Sequence, residues 1–366
     1  MPALPLSPEA DAAPTAVDRS TGGSFASPTQ SGGKASGGTP GAAGQAGGVG
    51  AVGSPGGMPA AAGSAGGPVC GVGSDWCVGT VGTVGSCSDA IPIGGCDQPT
   101  VLAVDGLAIA WGTHSGAVLA RALAGSPIVQ LAQGMPIASI ALRNGFAYWS
   151  VGEMGGSVVR APIAGGGVQV LANRQDYPQG VTVDATAVYW TERQDGSIHR
   201  APLGGGTVET LALGETEPGG LSVDGTHLYW GNYNDGRIRR LPLAGGAATT
   251  LYSGQRSPWR LLVTGGFVYW SEDSPDGNIR RGPVAGGAIE TLATDQDVPR
   301  ELVTDGVWIY WFAQGQNFGQ PTPRIFRVLV AGGKPELVLT PRTSGPLGIS
   351  PTAFFFGTNQ LWTLPH

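Results

Sequence analysis

Four histidines, His114, His199, His227 and His366, are spread along the chain, whereas the four cysteines, Cys70, Cys77, Cys87 and Cys96, fall within 27 residues. No Gly-x-Ser-x-Gly elbow is present, so a serine hydrolase of that type is not indicated. The cysteine spacing C-x6-C-x9-C-x8-C lacks the paired C-x2-C knuckles of a zinc ribbon. It reads instead as two disulfides and an oxidising compartment, with the pairing open.

A second group of reactive side chains clusters around particular prolines and Tyr-Trp pairs. Trp259 and Arg260 follow Pro258, Arg300 and Glu301 follow Pro299, and Tyr177 precedes Pro178. Glu192, Arg193, Tyr233, Glu272 and Asp273 come just after Tyr-Trp pairs, and Phe318 lies in the insertion 312–324. Exposed Trp, Tyr and Arg are favoured anchors for protein partners. Aromatic faces beside amides and carboxylates equally suit a sugar. Glu192, Asn232, Glu272 and Glu301 are the oxygens from which a divalent metal site could be built.

What would position these groups is an internal repeat. Tyr148-Trp149, Tyr189-Trp190, Tyr229-Trp230, Tyr269-Trp270 and Tyr310-Trp311 share a slot with Ala110-Trp111 and Phe355-Phe356, at spacings of 38 to 45 residues. Residues 221–254 show one unit: LSVD as strand A, HLYWGN as B, RIRRLPL as C and ATTLY as D. Asp224-Gly225 turns A into B and Gly245-Gly246 turns C into D. No segment has a helical period, which excludes helical solenoids. Four antiparallel strands recurring every 40 or so residues describe the blades of a β-propeller.

Prolines at 99, 136, 178, 218, 258, 299 and 346 precede strand A, giving seven blades. The last repeat ends after its strand C. DAIPI (residues 89–93) falls where a strand D belongs, with no A–C before it. The expected fold is all-β: a seven-bladed β-propeller of four-stranded antiparallel blades, the last closed by an N-terminal strand. Cys87 and Cys96 bracket that strand, where a bridge would staple the ring.

In such blades the A–B and C–D turns share one face, and the B–C and D–A loops share the other. The first set is short and uniform, while the second varies from blade to blade as binding loops do. The second face is therefore the expected funnel mouth, carrying Tyr177, Glu192, Arg193, Tyr233, Trp259, Arg260, Glu272, Asp273, Arg300, Glu301 and Phe318. His114 and His227 belong to opposite faces. One ring of each Tyr-Trp pair is expected to pack between blades, and the recurrent strand C arginines to stack or pair there.

Residues 1–69 differ in kind: 49 of 69 are Gly, Ala, Pro or Ser, too few apolar groups to offset ordering, so a disordered spacer is expected. A cysteine-containing connector, 70–88, leads into the propeller, 89–366. The net charge of −6 and pI near 5.2 argue against nucleic acid, and no apolar run is long enough for a transmembrane segment. The opening residues show no secretory signal, although the cysteines point outside the cytoplasm.

The pattern of proline, Val-Asp, Tyr-Trp and Gly-x-Ile-x-Arg resembles the YWTD and NHL groups of β-propellers, with TolB-like propellers as wider relatives. Tyr189-Trp190-Thr191-Glu192 is one conservative change from the YWTD signature. YWTD propellers usually have six blades, and most repeats here lack the final acid. The resemblance implies either a non-catalytic module binding protein or glycan, secreted or at the cell surface, or a metal-dependent lyase or lactonase working in the funnel. No catalytic residue and no cofactor is assigned, a divalent metal belonging only to the second reading.

Overall fold

The computed structural model describes residues 91–93, 97–315, 323–341, 343–358 and 360–365. Among these residues 28 strands and no helices form seven four-stranded antiparallel sheets. Blades 1 to 6 span 99–132, 137–176, 178–212, 218–252, 258–293 and 299–339. In blade 4, strands A to D are Pro218–Val223, His227–Asn232, Arg237–Pro242 and Thr249–Tyr252, paired in that order.

Blade 7 takes three strands, Leu347–Ile349, Ala353–Gly357 and Leu361–Pro365, from the end of the ring and the fourth from its start. Ile91–Pro92 pairs antiparallel with the last strand, Ile91 opposite Thr363 and Pro92 opposite Trp362. The expected closure is therefore present. Cys70, Cys77, Cys87 and Cys96, the spacer and Phe318 all lie outside the described residues.

The turns follow from their residues. At A–B, one Asp184 oxygen accepts the Thr186 and Ala187 N–H groups at 2.7 and 2.8 Å, while the other accepts the Tyr189 hydroxyl at 2.8 Å. Asp224 with Tyr229 and Asp305 with Tyr310 repeat the arrangement, with hydroxyl contacts of 2.7 and 2.9 Å. Burial, then the bond to Asp184, pushes the Tyr189 phenol up to about 12. At C–D, the second glycine of each pair, such as Gly206 (φ 143°) or Gly287 (φ 132°), adopts a backbone that side chains rarely allow.

The core lies between blades. The Tyr of one blade and the Trp of the next share a cluster: Tyr148 with Trp190, Tyr189 with Trp230, Tyr229 with Trp270 and Tyr269 with Trp311. Tyr310 meets Phe356 and Phe355 meets Trp111, so the same slots continue around blade 7. Both rings of a pair are thus interfacial, one toward each neighbour, because adjacent strand residues face opposite sides of a sheet. The sequence reading gave this role to only one of them. Outside the rings, strand C arginines clamp strand D and the next blade. Arg200 pairs with Glu209 at 2.8 Å and donates to the Leu243 carbonyl, while Arg281 pairs with Glu290 at 2.7 Å and donates to the Ala331 carbonyl.

Candidate functional site

Strand A lines the central channel, and each of the first six begins with a bulge. The register skips between Pro178 and Val181, Pro218 and Leu221, and Pro258 and Leu261, so an extra residue is pushed toward the axis. In blade 6 the skip falls between Arg300 and Leu302, leaving Glu301 at φ 49°. Below the bulges a cavity of about 360 Å³ is walled by strand A residues such as Ile140, Thr182, Val183, Leu262 and Val303. Above it a smaller cavity of about 190 Å³ meets Ser139, Gly180, Gly220, Arg260 and Glu301.

Arg260 and Glu301 are the charged residues lining that throat. They form an ion pair at 3.0 Å from blade 5 to blade 6, each side chain 22% exposed. The glycines leave room for tight approach. A Cβ on Gly180 would stand 2.7 Å from the Gly219 carbonyl oxygen, and one on Gly220 3.0 Å from that of Trp259.

Trp259 lies buried behind Arg260, only 9% exposed. Tyr233 meets it edge-on at 5.6 Å, and the guanidiniums of Arg193 and Arg260 lie 5.8 and 5.9 Å from its ring. These distances suit cation–π attraction. Arg193 also pairs with Glu217 at 3.2 Å, and Arg300 holds Asp273 at 3.1 Å. Arg193, Tyr233 and Arg260 thus gather on the Trp259 platform, which the Arg260–Glu301 pair links to blade 6. Tyr177 meets Arg193 through its backbone, its carbonyl accepting the Arg193 N–H at 3.2 Å. Tyr177, Glu217, Ser257 and Val298 each precede a strand A proline at φ between 44° and 58°, a strained turn repeated in four loops.

Glu192 and Glu272 sit elsewhere. Each ends a strand B and is buried inside its own blade. The Glu272 carboxylate contacts Arg280 at 3.0 Å and accepts from Asn278. Glu192 accepts the Asp176 N–H at 2.8 Å and lies 3.5 Å from His199. Burial raises the Glu192 carboxyl and lowers the His199 imidazole from their ordinary values. Asn232 donates to Glu215 at 2.7 Å, and Glu301 is held by Arg260. Glu192, Asn232, Glu272 and Glu301 thus have four separate sets of partners rather than one shared centre.

Sequence reasoning passed over Glu215, which Arg239 grips with two nitrogens at 3.1 to 3.3 Å. A signal was present. Gln175 and Gln296 stand 15 residues before Trp190 and Trp311 and accept their indole N–H groups at 2.7 and 2.8 Å. Glu215 occupies the same position before Trp230, as an acid where blades 3, 5 and 6 carry Gln175, Gln255 and Gln296.

Comparisons with known proteins agree on the fold. No protein-family model and no curated protein matches the chain. Among solved structures, a streptogramin B lyase superposes with a TM-score of 0.62 at 13% identity, covering 75% of this chain and 96% of that one. The computationally designed protein Ika8 gives 0.53 at 12% identity, over 75% and 98%. BamB from Moraxella catarrhalis gives 0.50 at 17%, over 73% and 85%. The chain is a seven-bladed β-propeller, and these likenesses establish the fold alone.

Proposed function

We propose that the protein is a non-catalytic recognition module, acting outside the cytoplasm, that binds a protein or glycan across its B–C and D–A loop face. The observation that carries this reading is the gathering of Arg193, Arg260 and Tyr233 on Trp259 at the channel mouth, with the Arg300–Asp273 pair joining blades 5 and 6 nearby in sequence. Guanidiniums ordered by an aromatic platform and by carboxylates are preorganised donors, which lowers the entropy lost on binding. Among the described residues, the side chains walling the channel beneath are aliphatic apart from Thr182 and Thr304. A metal-dependent lyase or lactonase would need carboxylates meeting at the funnel, whereas Glu192, Glu272 and Glu301 are each engaged elsewhere. The cysteine cluster supports an oxidising location.

The test is binding of the full chain to a glycan array and to protein ligands, compared with two variants. Arg193→Ala/Arg300→Ala removes outer mouth groups, while Leu107→Ser/Val307→Ser alters the opposite face, where both residues are exposed. Loss of binding in the first variant and retention in the second is expected. The reverse pattern would overturn the reading.

A further inference from the structure

One strand C position distinguishes blade 3 from its sisters. The residue opposite the strand B tryptophan is Leu119, Val159, His199, Arg239, Arg280 and Phe326 in blades 1 to 6. It is apolar where strand B ends in Thr113, Val151 or Ala313, and basic where strand B ends in Glu192, Asn232 or Glu272. In blades 4 and 5 the base is a guanidinium that neutralises a buried carboxylate. Arg239 holds Glu215 at 3.1 Å, and Arg280 holds Glu272 at 3.0 Å. Those carboxylates have side chains only 4% and 1% exposed, so each needs its cation.

Blade 3 has the buried carboxylate without the guanidinium. Glu192 faces an imidazole whose Nε2 is 3.5 Å from Oε1. A second carboxylate then approaches. One ligand atom each from Glu192, Asp195 and His199 lie within 4.8 Å of one another. The Asp-Gly aspartates of the sister blades have arginine partners, Asp235 with Arg237 at 3.4 Å and Asp276 with Arg256 at 2.7 Å. Asp195 instead accepts from the Ser197 N–H and hydroxyl, at 2.9 and 2.6 Å. Two carboxylates and an imidazole meet where blades 4 and 5 carry guanidiniums.

We propose that Glu192, Asp195 and His199 bind a divalent transition-metal ion of the zinc class at the rim of the loop face. The donor set is one nitrogen and two oxygens, typical of zinc. Metal–ligand bonds of about 2.0–2.1 Å in a tetrahedron place neighbouring donors roughly 3.4 Å apart. The Glu192–His199 separation of 3.5 Å already matches. The outer partners that orient such ligands are also present. Thr210 Oγ1 is 3.1 Å from His199 Nδ1, the Asp176 N–H holds the other Glu192 oxygen at 2.8 Å, and Trp190 stacks on the imidazole at 5.5 Å. With Nδ1–H donating to Thr210, the Nε2 lone pair is available to the ion. The Ser197 hydroxyl stands 2.6 Å from Nε2 with its one proton directed to Asp195, so the ion takes the place of that contact when it binds. Three protein donors leave a coordination position for water or for an oxygen of a bound partner. Arg193, which reaches the Trp259 platform, is the neighbour of Glu192 in sequence, so the ion would stand beside the mouth arginines.

The internal repeat supplies the decisive variant. His199→Arg installs the residue that blades 4 and 5 carry, and should fold while losing the ion. Asp195→Asn changes an exposed loop residue and retains its shape. The full chain, stripped with chelator, is titrated with zinc chloride by calorimetry and with cobalt chloride by visible absorption. The cysteines at 70–96 are common to every variant, and any thiolate–cobalt band marks their contribution. Wild type should bind one more ion per chain than His199→Arg, with a tetrahedral cobalt spectrum lacking thiolate character. Asp195→Asn should weaken that site at least tenfold. Should His199→Arg fail to fold, Asp195→Asn alone decides. Unchanged stoichiometry and affinity in the folded variants would overturn the proposal.

Discussion

The Asp184–Tyr189 contact fixes an A–B turn to the blade interface, and its energy can be isolated by a double-mutant cycle. Asp184 accepts four hydrogen bonds, from Thr186 N, Thr186 Oγ1, Ala187 N and the Tyr189 hydroxyl, at 2.7 to 2.9 Å. Asp105 makes the corresponding turn in blade 1 but accepts only from Leu107 N and Ala108 N, because Ala110 stands in the tyrosine slot. Asp105→Ala should therefore cost about 1 kcal/mol, since two turn amides lose an acceptor and that of exposed Leu107 can turn to water. Asp184→Ala also strands a phenol whose residue is 1% exposed, adding about 1.5–3 kcal/mol for a charge-assisted hydrogen bond. In urea unfolding followed by tryptophan fluorescence, Tyr189→Phe should be costly in wild type and nearly silent after Asp184→Ala, a coupling of about 1.5–3 kcal/mol. A coupling below about 0.5 kcal/mol, within the scatter of independent sites, would refute the reasoning.

Other expectations follow from the same geometry. Trp230→Ala removes a fully buried ring between blades 3 and 4 and should destabilise by about 3–5 kcal/mol in denaturant unfolding. Burial alone would raise the Asp184 and Asp224 carboxyls, but hydrogen bonds from turn amides, hydroxyls and tyrosines outweigh it and hold both below the ordinary aspartate value. Their stabilisation is therefore complete above the unfolded pKa near 3.8 and is lost as pH falls through the folded values, so Asp184→Asn/Asp224→Asn should flatten the acid limb of stability against pH. Gly180→Ala drives a Cβ to 2.7 Å from the Gly219 carbonyl oxygen and should lower the melting temperature more than Gly225→Ala, which has open space although its φ of 86° adds strain. Arg260→Ala leaves Glu301 unpaired in the throat, and Glu301→Ala in that background should recover part of the lost stability.

The architecture was legible because a ring repeats its reasons. Each Tyr-Trp pair, Asp-Gly turn and strand A proline restates one constraint, so seven imperfect copies fixed the blade count and even the closing strand at Ile91–Pro92. The mouth was legible only as a region. Its blade-unique residues could be placed after prolines and Tyr-Trp pairs, but not their mutual contacts. Trp259 looked like an exposed anchor and is buried, because its bulge tucks the ring under Arg193 and Arg260. Glu192, Asn232 and Glu272 share a register and so looked convergent. Strand B lies one strand away from the channel, and each side chain is taken up by partners within its own blade or the D–A loop leading into it. The His199, Arg239, Arg280 series was present in the sequence, but its meaning depends on which carboxylate each base faces, and that is set by the fold.

If the loop face is the binding face, a hydrogen–deuterium exchange footprint shows it most directly. With the glycan or protein ligand that binds the full chain, protection should appear in the B–C loops at 193–197, 233–236 and 273–278 and in the strand A bulges at 259–260 and 300–301. The A–B turns at 184–186 and 224–226 should be unaffected. Protection of those turns or of the outer D strands, with the mouth unchanged, would contradict it.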